Sequence, residues 1–188
     1  MESLNLNLKK EIGNFLIVSI AYIASYTLVG GFVLPLQKIL LPEFTTSISL
    51  LFLPHGVRLL AVHYFGWKAI PLLLPSCYLM WVLTVFGAGI IMDPLQPLVS
   101  LISCFVGYKL VAMVVSGSQV RFGKQEWKLL IAAGVLSSFL NGISNSMLYG
   151  SAQLSLDIFG YMIGDVLGQI ALMLGLIYIL KFVRLFKV

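Results

Sequence analysis

Charge is what this sequence has least of. Asp, Glu, Lys and Arg make up 10% of its 188 residues, whereas a soluble domain carries about 25%. That scarcity excludes an ordinary water-facing surface. Hydrophobic residues fill 60% of the chain instead, so the expected solvent is a bilayer. Cysteine and histidine are scarcer still, with two of each. Cys77 and Cys104 form no Cys-x-x-Cys pair and have no Cys/His metal spacing, and both read as small buried hydrophobes. His55 and His63 lie eight residues apart, about 80° off a common helical face and about 12 Å along a helix axis. One ion cannot bridge them, so no metal or haem site is expected. There is no close carboxylate pair, no Ser/His/Asp set and no phosphate-binding glycine loop, so the expected protein is not an enzyme and needs no cofactor. No polar run is long enough for a separate soluble domain. The first apolar run is too long for a signal peptide and is kept as a helix.

A helix that crosses a bilayer needs about 20 mainly apolar residues. Six such stretches are legible, at about 15–36, 48–65, 69–85, 98–115, 129–149 and 158–180. The expected fold class is all-α: a single integral membrane domain over residues 1–188, built as a polytopic bundle of six transmembrane helices. Gly30-Gly31 and Pro35 should weaken the first span near its end, ahead of a loop over 37–46. Pro54, beside Gly56, is expected to interrupt the second span after it has begun. Gly66-Trp67-Lys68 reads as an interfacial turn leading to the third span. Pro71 suits the first turn of that span, and Pro75 is expected to kink it.

The formal net charge is +5. Its placement favours membrane orientation over nucleic-acid binding. Lys9, Lys10, Lys68, Arg121, Lys124, Lys128, Lys181, Arg184 and Lys187 fall on one side of the six-span layout, and Lys38 alone falls on the other. The positive-inside rule then puts both termini in the cytoplasm. In the C-terminal tail, Lys181, Arg184 and Lys187 recur every three residues between Phe182, Leu185 and Phe186. Continued as a helix, this tail either anchors at the lipid interface or serves as a docking handle for a membrane or cytoplasmic partner.

Ionisable groups inside an apolar run cost about 3 kcal/mol each on insertion scales and are functional-site candidates. His55 and Arg58 are three residues apart in the second span. Ser138, Asn141 and Asn145 are spaced three and four in the fifth, and Asp165 and Gln169 four apart in the sixth. Each set occupies one helical face. Counted at 1.5 Å per residue, His55, Arg58, Asn141, Asn145 and Asp165 fall about 6–15 Å below one and the same surface. They are expected to converge, with Arg58 paired to Asp165 so that neither charge is buried alone. Two readings stay open: a network that only fixes helix packing, and a polar pocket for a small-molecule ligand. Gly160, Gly164 and Gly168 form a small-xxx-small ridge, expected to pack against a neighbouring span of the same chain.

Two stretches carry a family likeness. Phe52-x-Pro54-x-Gly56, then Phe65-Gly66-Trp67-Lys68 and Pro71, lie within the run from Leu51 to Leu79. The second stretch is Phe159-Gly160-Tyr161-Met162-Ile163-Gly164-Asp165-Val166-Leu167-Gly168. Together, and in this order, they resemble the signature of the membrane-associated sensor domains of bacterial histidine kinases and diguanylate cyclases. The resemblance implies a polytopic sensor-like module in the bacterial inner membrane. In this sequence it is accompanied by no output domain, so the expected role is binding a ligand or docking onto a larger membrane assembly. By size and span count the chain is also similar to the substrate-binding subunits of energy-coupling-factor uptake transporters. A structural subunit of a membrane complex is the third expectation.

Overall fold

A computed structural model describes residues 2–42, 49–87, 89, 91–117, 126–149 and 154–185. Among the described residues all regular structure is helical. The elements are α1 (Glu2–Leu28), α2 (Leu34–Leu40), α3 (Leu53–Phe65), α4 (Ala69–Val82), α5 (Gln96–Gly117), α6 (Glu126–Tyr149) and α7 (Leu154–Leu185). Loop residues within 43–48, 118–125 and 150–153 lie outside the description, as do Arg121, Lys124 and Lys187.

Among the described residues, five helical runs are long and apolar enough to cross a membrane: residues 8–40, 53–87, 96–115, 126–148 and 158–185. The expected count of six is not confirmed, because the second and third expected spans fall within one run, 53–87. That run is not a straight rod. Gly66 has φ 58° and ψ −132°, a left-handed position that glycine adopts without steric cost, and α4 turns back from there. Phe52, before α3, stacks on Tyr26 with ring centroids 6.0 Å apart, and the Thr84 hydroxyl, after α4, lies 3.2 Å from the Tyr26 hydroxyl. At the opposite end, Lys68 Nζ donates to Glu11 Oε1 at 2.9 Å. The α3 leg has 13 residues, about 20 Å of helix, and by itself falls short of the roughly 30 Å hydrocarbon core.

The first helical run continues past the expected loop start at residue 37, and Pro54 acts differently from expectation. Gly30 and Gly31 perturb the first helix without ending it. They sit in a π turn, Val29–Val33, and α2 continues to Leu40 with Pro35 in its first turn. Widening to a π turn accommodates a residue that has no N–H and whose ring crowds the carbonyl of the preceding turn. Pro54 does not interrupt a helix already under way; it starts one. Residues Ser49–Phe52 are non-helical, and Pro54 occupies the first turn of α3, where a missing donor costs nothing.

Ser49–Phe52 form a strap between α2 and α7. An irregular segment inside an apolar bundle must find protein partners for its backbone, and this one does. Leu50 N donates to Gln37 Oε1 (2.9 Å), Leu51 N to Ser49 Oγ (3.3 Å) and Phe52 N to the Gly164 carbonyl (2.8 Å). The glycines of α7 make room for it: a methyl group at Gly164 would strike the Ser49 carbonyl, and one at Gly168 the Phe52 carbonyl. Two members of the small-residue ridge thus pack against the non-helical start of the expected second span and, at Gly168, the first residue of α3.

Because the strap delivers α3 to the middle of the bundle, α3 touches α1, α4, α5, α6 and α7. Leu53 through Leu59, together with Ala61 and Val62, are buried. One side of α3 packs with Tyr22, Leu73, Cys77 and Leu101, and the other with Leu130, Ala133 and Met173. Backbone atoms cannot yield at the strap as side chains do, so Gly168→Ala is expected to destabilise by about 1–3 kcal/mol. Gly175→Ala has no heavy atom within 4 Å of the added methyl and should stabilise by up to about 1 kcal/mol. Thermal unfolding in detergent, followed by circular dichroism, compares the two.

Candidate functional site

His55 is fully buried at 0% exposure. Residues on three other helices surround its ring. Nδ1 lies 3.3 Å from Asp165 Oδ2 on α7 and 3.7 Å from Cys104 Sγ on α5. Nε2 lies 3.1 Å from Ser137 Oγ and 3.2 Å from Ser138 Oγ, both on α6. The carboxylate requires a proton on Nδ1, which assigns the neutral tautomer by its partners. The hydroxyls facing Nε2 can donate or accept, so the network tolerates both neutral and charged imidazole.

The network continues outward from Asp165. Asn141 Nδ2 donates to Asp165 Oδ2 at 2.9 Å. Asn145 Nδ2 in turn donates to the Asn141 carbonyl at 2.9 Å and to Asn141 Oδ1 at 2.8 Å. Asp165, Asn141 and Asn145 are each no more than 3% exposed. The structure therefore brings together His55, Asn141, Asn145 and Asp165. It also shows members with weaker sequence signals. Ser137 is one residue from the Ser138 face, and its spacing of four to Asn141 fits equally well. Cys104, which composition alone reads as a plain hydrophobe, touches the imidazole.

Arg58 does not pair with Asp165. Among the described residues no ion pair joins them, and Asp165 is held by His55 and Asn141. Arg58 Nη2 donates instead to Tyr22 Oη on α1 at 2.9 Å. The guanidinium carbon lies 5.4 Å from the Tyr22 ring centroid and 5.5 Å from that of Phe52, and Cys77 of α4 stands beside it. Two desolvated cation–π contacts, at about 2 kcal/mol each, replace the missing carboxylate. Residues three apart on a helix diverge by about 60°, which is enough to send His55 toward α5, α6 and α7 while Arg58 turns to α1 and α4. Gln169 is also separate: its Nε2 donates to the Leu130 carbonyl at 2.8 Å and contacts Met173 Sδ.

A second polar group lies where α3 ends. His63 Nδ1 is 2.9 Å from Tyr108 Oη, and Nε2 is 3.8 Å from Glu126 Oε2. With Lys68–Glu11 it fastens α1, α3, α5 and α6 at the end of the bundle that holds the chain's N-terminal lysines.

Comparison with family models, curated proteins and solved structures gives no match for this chain. The likeness to sensor domains therefore rests on the residues that carry it.

His55 is Asp165's charge partner, so the two substitutions should be strongly non-additive. His55→Leu and Asp165→Leu should each cost about 3–5 kcal/mol by stranding the other group. The double variant should recover part of that loss, with a coupling energy of about 1–3 kcal/mol. Arg58→Met combined with Asp165→Leu should be additive within about 0.5 kcal/mol. Unfolding midpoints of the two double-mutant cycles measure this.

Proposed function

We propose that this chain is a multi-pass protein of the bacterial inner membrane, with both termini in the cytoplasm, that performs no catalysis itself and acts as a sensor-like module docked onto a larger membrane assembly. The observation that carries this reading is the closure of the polar cluster. His55, Ser137, Ser138, Asn141, Asn145 and Asp165 are no more than 3% exposed, and most of their hydrogen bonds run to one another or to the α6 backbone, with Asn145 Oδ1 left without a partner. A cluster of this kind holds helices in register. An uptake subunit for a polar solute needs such groups opened toward the solute, so the closed arrangement favours docking.

The exposed surface supports the same reading. The end of α7 exposes many apolar side chains: Leu174, Ile177, Tyr178, Ile179, Leu180, Phe182 and Leu185 are each at least 46% exposed. Lipid covers such a helix adequately, and a partner helix covers it equally well. Lys181 and Arg184 extend from it as exposed cations, the arrangement that suits a docking handle for an acidic partner. The sensor-domain likeness of Phe52-x-Pro54-x-Gly56 and Gly164-Asp165-x-x-Gly168 adds the expectation that the partner is a signalling protein.

Two measurements test the proposal. Tagged protein purified in mild detergent without crosslinking should bring down a defined partner. Removing residues 182–188 should abolish that partner while leaving insertion and unfolding temperature unchanged; a retained partner would show that the tail is only an anchor. Cysteines placed at Lys9 and Lys181 should be labelled by impermeant maleimide only from the cytoplasmic face, and labelling from outside would overturn the orientation.

A further inference from the structure

Between α1 and α7, with α3 as its floor, lies an apolar groove of about 470 Å³. Asn14, Ala21 and Leu28 line it along α1, Val57 and Tyr64 along α3, and Leu176 on α7. From Asn14 to Leu28 it runs about 21 Å. Its far end lies at Leu28 of α1 and Leu53, the first residue of α3. At the other end Asn14 supplies a polar side chain. Lys10 follows one turn further on the same face of α1 and is exposed. Among the described residues nothing engages Lys10, whereas the neighbouring Lys68 is committed to Glu11.

A helix of a partner that crosses the full hydrocarbon core needs about 30 Å, more than the groove offers. An acyl chain entering from one leaflet needs only about half of that thickness. The groove is long enough for the chain and too short for the span, and a free cation among the described residues, Lys10, stands at the Asn14 end. We propose that it holds one acyl chain of an anionic phospholipid drawn from the leaflet at the Lys10 end, with Asn14 and Lys10 binding the phosphate. Lipid tails gain no hydrophobic advantage by leaving other tails for protein, so selectivity comes from the fit of the groove and from the headgroup contacts. The site involves neither the polar cluster nor the α7 tail, so its test is independent of the docking function.

Protein purified in mild detergent is mixed with phosphatidylglycerol or phosphatidylcholine, and retained lipid is counted by native mass spectrometry. One phosphatidylglycerol should remain bound through detergent exchange. Ala21→Phe, which fills the groove, should lower retention about tenfold. Lys10→Glu, at an exposed position that cannot disturb folding, should remove the preference for phosphatidylglycerol over phosphatidylcholine. Met113→Phe, on the exposed face of α5, should change nothing. In vesicles of the same two lipids, a benzophenone amino acid in place of Tyr64 should add the mass of one phospholipid. Equal retention by Ala21→Phe and the parent protein, an unchanged preference in Lys10→Glu, or a crosslink to a protein chain in cell membranes would each overturn the proposal.

Discussion

The buried contact between His55 and Asp165 is the constraint around which the bundle is arranged. A carboxylate in an apolar interior costs several kcal/mol unless a cation and donors surround it. Here the imidazole, 3.3 Å away, and the Asn141 amide, 2.9 Å away, meet that need. The imidazole is in turn closed off by Ser137, Ser138 and Cys104. Four helices must hold their mutual positions for every member of this set to be satisfied, so the cluster selects one arrangement of α3, α5, α6 and α7 over other ways of packing apolar rods. Dispersion forces and small residues alone discriminate weakly among such arrangements.

The cluster forms only because α3 starts deep in the bundle. The strap accomplishes this by exchanging helical hydrogen bonds for three specific acceptors: Gln37 Oε1, Ser49 Oγ and the Gly164 carbonyl. Gly164 and Gly168 flank Asp165 along α7, so the residues that admit the strap and the residue that binds His55 belong to one short stretch. Register and polar core thus share one local device, and a change at Gly168 propagates to both.

Arg58 shows a different solution to the same problem. With no carboxylate paired to it among the described residues, its guanidinium rests on Tyr22 and Phe52 and donates to the Tyr22 hydroxyl. This draws α1 onto α3 on the side away from the cluster. Two buried basic side chains one turn apart therefore tie α3 to two separate sets of neighbours, and α3 becomes the axis of the bundle despite being only 13 residues long.

Much of this was legible in the sequence. Composition determined a helical, apolar architecture, because 60% hydrophobic and 10% charged residues leave little else to build. Spacing of three and four placed Asn141 with Asn145 and set Asp165 on an inward face. What the sequence left undecided were choices between alternatives that are locally equivalent. Pro54 fits a kinked helix as well as a helix start, and the strap's hydrogen bonds to α2 and α7 selected the start. The apolar run 53–87 reads as two crossings or one, and a positive φ at Gly66 together with contacts to Tyr26 determined how it folds back. Arg58 and His55 share a face by periodicity, yet a 60° divergence and the positions of Tyr22 and Asp165 sent them to different partners. Local sequence fixes which residues must be buried and on which face of a helix they stand; which buried group neutralises which depends on distances between helices, and those exist only once the bundle has assembled.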